Sequence, residues 1–182
     1  MIKLIYIVAL ASSPLFASTP INESVPKTSL KHLNEQFTFH AVGETTFSFL
    51  FWDLYESRLL TTSGKYPIDN NEKLIYEINY MTDISKKDLI HRTVEQWQHL
   101  GLPIESYQSF LPKLASIWPD ITVGDTLSLL ISNKTSHFYF NQHYIGRVDD
   151  PRFGQIFLDI WLAKNTSQPK LRSQLLGQTN HE

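Results

Sequence analysis

"NQHYIGRVDDPRFGQIFLDIWLAKN", residues 141–165, joins the end of a β-hairpin to an amphipathic helix. Asn141-Gln142 occupies the place of a two-residue turn, so "HFYF" (137–140) and "YIGRV" (144–148) are expected to pair antiparallel. Asp149 or Asp150 followed by Pro151 starts a helix, because the aspartate caps first-turn amides and proline has no amide to lose there. Phe153, Ile156, Phe157, Ile160 and Trp161 recur at helical spacing as a stripe to be buried, and Lys164-Asn165 suits the helix end. A strand period that gives way to a helical one within a few residues predicts a sheet with a helix packed back on it.

Upstream, "TLSLLIS" (126–132) adds the preceding strand, reached through the turn-rich link "WPDITVGD". Before that link, Ser85 is placed to cap a helix carrying Ile90, Val94 and Trp97, which stops at Gly101-Leu102-Pro103. Tyr107, Phe110, Leu111, Leu114 and Ile117 mark a second helical stripe, with Pro112 either in its first turn or at a kink. "KLIYEINY" (73–80) alternates, with Leu74, Tyr76, Ile78 and Tyr80 opposite Glu77 and Asn79, and reads as a half-exposed strand. "FTFHAV" and "TFSFLFWDLYESRLL" (46–60) are rich in aromatic and β-branched residues and read as strands. In the latter, Phe47, Phe49, Phe51 and Tyr55 fall on one face and Leu50, Trp52 and Leu54 on the other. That pattern predicts a strand inside the sheet with both faces covered. A last short helix starts near Ser167 with Pro169 in its first turn and ends at Gly177. The expected class is α+β, an antiparallel β-sheet packed against a layer of helices.

The chain has 182 residues, enough for one domain, expected over residues 37–178. Lys3, the apolar run Leu4 to Ala11 and the small, helix-breaking stretch up to Ala17 make residues 1–17 a secretory signal, cut near Ala17. That run is too short for a spanning helix, so export to a periplasmic or extracellular location is expected, with no stable transmembrane segment after cleavage. Residues 18–36, polar with two prolines, read as a flexible leader. The absence of cysteine excludes disulfides, thiolate metal sites and thiol nucleophiles. A net charge of −2 without clustered Lys or Arg argues against nucleic acid as a partner.

Complete chemical motifs are missing. There is no GxSxG, Walker loop, GxGxxG or HExxH, and the seven histidines lack chelating spacing, so no cofactor or metal is called for and surface or hydrogen-bonded histidines are expected. Asp53, read as lying in a doubly apolar strand, requires a partner such as Arg58, Arg92, Arg147 or Arg152, as an ion pair or as an acid in a cleft. Arg92 presents the same choice: a structural pair, or a fork for a ligand carboxylate. The aromatic set Phe47, Phe49, Phe51, Trp52, Tyr55, Tyr76, Tyr80 and Trp97 either fills the core or lines an apolar cleft.

The order of these pieces resembles the bacterial chalcone isomerase-like family, exported relatives of the plant chalcone isomerase fold, an open-faced β-sandwich. The segments carrying it are "VGETTFSFLFWDLYESRLL", "LIHRTVEQWQHLG", "WPDITVGDTLSLLI", "FYFNQHYIGRVDDPRFGQIFLDIWL" and "TSQPKLRSQLLG", from Val42 to Gly177. The family's enzymes use an Arg and a Thr on the sheet, a Tyr and an Asn on a helix, and a Thr or Ser on a later helix. Here those positions fall on Thr46, Leu50, Ser85, Arg92 and Asp159, and every one departs from the pattern. Other members of the fold look like fatty-acid binders that use the same Arg and Tyr, and that pair is also absent. Arg92, two turns after Ser85, is the available replacement cation, unless Asp159 neutralises it. The resemblance therefore implies a non-catalytic binder of a small apolar ligand such as a fatty acid, or an accessory protein. Its candidate cleft residues are Thr46, Leu50, Trp52, Asp53, Tyr55, Ser85, Arg92 and Asp159. The alternatives are an isomerase or lyase built on Arg92, Asp53, Tyr55 and Asp159, and a protein-interaction module with a filled core. No protein partner is named by the sequence.

Overall fold

A computed structural model describes residues 29–49 and 52–178. Its elements run α1 (Leu30–Gln36), β1 (His40–Phe49), β2 (Trp52–Thr61), β3 (Leu74–Tyr80), α2 (Lys86–His99), α3 (Leu111–Ile117), β4 (Thr126–Ser132), β5 (Thr135–Phe140), β6 (His143–Val148), α4 (Phe153–Leu162) and α5 (Pro169–Leu175). The six strands form one antiparallel sheet in sequence order, from β1 at one edge to β6 at the other. Helices α2, α3 and α4 cover one face, the expected α+β arrangement.

The elements form where local chemistry directs them. Ser85 Oγ accepts from the Asp88 amide at 3.1 Å and caps α2. Asn141 and Gln142 adopt φ values of 47° and 72°, the left-handed pair of a two-residue hairpin, and Phe140 pairs with His143 across them. Asp150 accepts from the Arg152 amide at 2.9 Å at the entry to α4. Pro112 sits in the first turn of α3 and Pro169 in that of α5, where no amide bond is lost. At Gly146 a side chain would meet Ile117 Cγ2 at 2.5 Å, so glycine lets β6 approach α3.

The main core lies between the sheet and α2–α4. Tyr76, Leu129 and Phe138 from the strands meet Trp97, Leu114, Trp118, Phe153 and Phe157, all buried. Aromatic rings carry much of this packing: Phe138 meets Phe157 edge-on at 5.7 Å, and Phe153 stacks on Phe157 at 5.6 Å.

Three expectations from the sequence are not met. The stretch 46–60 is two strands: Phe49 pairs with Trp52 and Phe47 with Tyr55, so β2 runs back along β1, and residues 50–51 lie outside the described residues. An alternating apolar pattern reads alike through a long strand and through a tight hairpin, and no Gly, Pro or Asn marks this reversal. β1 is consequently an edge strand, and Trp52 is 74 % exposed, so the second apolar face is not covered there. Secondly, seven residues assigned to a flexible leader form α1, which buries Leu30 and Leu33 with Ile75, Leu130 and Tyr139 on the second face of the sheet. A leucine pair three residues apart needs only one helical turn to meet the sheet, too short a signal against the surrounding polarity. That cover also makes β3 more buried than a half-exposed strand: Ile75 is shielded on one face, Leu74, Tyr76, Ile78 and Tyr80 on the other. Residues 1–28, which include the expected signal segment, lie outside the described residues. Among the described residues no helix is long and apolar enough to cross a membrane.

Candidate functional site

Between the sheet and α2 and α4 the core opens into a pocket of about 390 Å³. Phe47, Leu54, Tyr55, Ile78, Tyr80 and Leu127 line it from the sheet; Phe157, Ile160 and Trp161 line it from α4, with Trp118 and Ile84 completing the apolar wall. α2 contributes Leu89, Arg92, Thr93 and Gln96, an i, i+3, i+4, i+7 stripe that places polar groups where a core helix would be apolar. Ser167 and Gln168, just before α5, complete the polar side.

Most of these polar groups are spent on one another. Thr93 Oγ1 donates to the Leu89 carbonyl at 2.8 Å, and Ser167 Oγ donates to Gln96 Oε1 at 2.7 Å. Arg92 differs. It is 74 % exposed and donates through Nη1 to Glu95 at 3.0 Å, leaving its other guanidinium nitrogens without a partner among the described residues. Deeper in, Trp161 Nε1 donates to the Tyr55 hydroxyl at 2.9 Å. Burial pushes the Tyr55 phenol up to about 12 against the lowering effect of that bond, so it keeps its proton at neutral pH. Tyr80, also in the wall, is raised by burial too. Trp118 has a buried indole N–H without an acceptor among the described residues.

Of the eight candidate residues, Tyr55 and Arg92 line this pocket and five others stand elsewhere. Thr46 is exposed on β1 opposite Glu56, and Trp52 is exposed near the β1–β2 reversal. Asp53 is exposed and accepts from Ser48 Oγ; it is not a buried charge. Its four expected partners pair elsewhere: Arg58 with Glu77, Arg92 with Glu95, Arg147 with Asp149 and Arg152 with Asp150. Ser85 is engaged in capping α2. Asp159 is half-buried and accepts from Gln155 Nε2 at 2.7 Å, so it does not neutralise Arg92. Leu50, the eighth, lies outside the described residues. In the aromatic set, Phe47, Tyr55 and Tyr80 line the pocket, whereas Tyr76 and Trp97 are fully within the core. Sequence reasoning missed Trp161 as a partner of Tyr55, and Thr93 and Gln96. The last two were detectable as polar intrusions into the Leu89 stripe.

The histidines are mostly at the surface, but His137 is buried against Tyr144, with ring centroids 6.2 Å apart and Nδ1 unpartnered among the described residues. It departs from the expected surface or hydrogen-bonded histidine because α1 and the β5–β6 hairpin shield the second face. Among the described residues no group of three or more His, Asp or Glu side chains is placed to hold a metal.

Burial raises the Asp159 carboxyl above the usual range, partly offset by the Gln155 amide. A carboxyl raised in the folded state binds more protons there than when unfolded, so stability falls as pH rises between the ordinary aspartate value and the folded one. Asp159→Asn is expected to remove that fall. Urea midpoints measured from about pH 3 to about pH 7 test it; an unchanged difference between wild type and variant across that range would contradict the assignment.

A meandering antiparallel sheet, a helical layer on one face and an apolar pocket between them define an open-faced β-sandwich with an internal cleft. The chain belongs to the chalcone isomerase-like family, whose model matches residues 28–177. It is 28 % identical over 143 residues to an uncharacterized protein of Haemophilus influenzae, covering 78 % of this chain and 70 % of that one. The fold is similar to the crystal structure of a fatty-acid binding protein of Arabidopsis thaliana. The TM-score is 0.60 at 11 % identity, covering 76 % of this chain and 87 % of that one.

Proposed function

We propose that this protein is an exported, non-catalytic binder of a small apolar acid such as a fatty acid, whose chain lies in the pocket and whose carboxylate meets Arg92. The observation that carries the reading is an apolar cavity of about 390 Å³ with one guanidinium at its rim. Cavities of some 300–1,000 Å³ with few polar groups are the usual form of small-molecule sites. The fatty-acid binding neighbour supports the ligand class, and the apolar run at the N-terminus supports export to the periplasm or beyond. An enzyme built on Arg92, Asp53, Tyr55 and Asp159 has no shared site, since neither aspartate lines the pocket. An open pocket also weighs against a module with a filled core.

Organic extraction of the natively purified mature protein, followed by mass spectrometry, is expected to release a stoichiometric acyl acid. Arg92→Ala is expected to weaken acyl-acid binding about tenfold, the scale of one charge-assisted hydrogen bond. Because the Arg92–Glu95 pair is exposed, stability should change by less than about 0.5 kcal/mol. An empty extract combined with no rise in melting temperature on adding fatty acids would remove the reading. Unchanged affinity in the variant would remove Arg92 from it.

A further inference from the structure

We propose that the pocket selects an acyl acid carrying an oxygen within its chain, a hydroxy or oxo acid, and that the Tyr55 hydroxyl donates to that oxygen. The inference rests on the acyl-acid reading above and specifies its ligand.

An indole nitrogen only donates, so in the 2.9 Å contact with Trp161 the Tyr55 oxygen is the acceptor. The phenolic proton must therefore point elsewhere, and among the described residues Tyr55 donates no hydrogen bond to a protein acceptor. Tyr55 sits in an aromatic setting, with Phe47 at 5.2 Å and Tyr80 at 6.1 Å between ring centroids. Among the described residues, the cavity wall around it supplies no carboxylate. Burial keeps the phenol protonated and hence a donor. The hydroxyls of Thr93 and Ser167 are already committed to protein acceptors. Tyr55 is thus a directed donor with its acceptor side filled and its proton unspent.

A saturated chain beside it leaves that donor unpaired in apolar surroundings, which costs free energy. A hydroxyl or keto oxygen at the same place removes the cost. Arg92 is largely exposed at the rim and Tyr55 is set deeper, so the two polar contacts fall at separate points along a ligand. A carboxylate at one end and a neutral oxygen further along match that separation.

The test is titration of the full mature protein with stearic acid and with a set of monohydroxy and mono-oxo stearic acids differing in the position of the oxygen. At least one positional isomer is expected to bind about tenfold more tightly than stearic acid. In Tyr55→Phe, which retains the ring, the ratio of the two affinities is expected to collapse to about one. A circular dichroism melt checks the folding of the variant, and the wild-type preference can be read without it. If stearic acid binds and no isomer surpasses it, or if Tyr55→Phe weakens both ligands and keeps their ratio, the inference is overturned while the acyl-acid reading stands. If no acid binds, both fall.

Discussion

Trp97→Ala is expected to destabilise the fold by about 4 kcal/mol and to abolish the proposed acyl-acid binding. The indole is fully buried and packs on Tyr107 with ring centroids 5.1 Å apart. Its Nε1 donates to the Ile156 carbonyl at 2.8 Å, which fastens α2 to α4. Those two helices supply Arg92 and Gln96 on one side of the pocket and Phe157 and Trp161 on the other. Truncating a buried tryptophan to alanine costs about 3–5 kcal/mol, because transfer energy is lost and a cavity remains. Trp97→Phe fills much of the cavity and loses the bridge, so about 2 kcal/mol is expected for it. Urea unfolding read by tyrosine and tryptophan fluorescence checks both variants. A loss below about 1 kcal/mol for Trp97→Ala would mean that α2 is held mainly by other contacts.

Gly43→Ala is expected to cost about 3 kcal/mol, toward the upper end for overpacking, since the atoms in the way are backbone. A Cβ at this position would lie 2.2 Å from the Gln174 carbonyl oxygen and 2.6 Å from that of Leu175. Side chains can rotate away from an intruding methyl group, but a helix must shift as a body. α5 would have to withdraw from β1, disturbing the contact between Thr45 Oγ1 and Gln174 and the packing of the fully buried Leu175. Ser167 and Gln168, at the pocket rim, lead directly into α5, so weaker ligand binding should accompany the lower stability. Denaturation combined with acyl-acid titration measures both. Wild-type stability in the variant would show that β1 and α5 separate without cost.

Features governed by neighbours in sequence were the legible ones. Ser85 caps α2 because its hydroxyl and the Asp88 amide are three residues apart, and Asn141-Gln142 turns because both residues take left-handed backbone angles at that site. The stripe of α4 likewise follows from the helical period. At the pocket, Arg92 was recognisable as a cation on a helix face and Tyr55 as a candidate cleft residue, but not the hydrogen bond that sets Tyr55 apart. Its distinction comes from Trp161, 106 residues away, and no local pattern connects the two.

Asp53 shows the opposite failure. An apolar neighbourhood in sequence implied burial, whereas the antiparallel pairing of β1 with β2 places the aspartate in the open beside Ser48. Leu30 and Leu33 repeat the lesson from the other side, since a polar neighbourhood concealed two residues that the sheet covers almost completely. Burial belongs to the partner surface as much as to the segment.

By itself, the sequence determined the period of β3 to β6 and of α2 to α5, the Ser85 cap, the Asn141-Gln142 turn, the α+β class and the family pattern, because each depends on hydrogen bonds and side-chain facing within a few residues. Tertiary structure alone decided that one apolar stretch becomes two strands and that Asp53 is solvated. It also decided that Tyr55 meets Trp161 and that a cavity remains between the sheet and α2 and α4. These outcomes depend on which surfaces meet across the chain, and on the volume left when rigid elements pack, which no local period encodes.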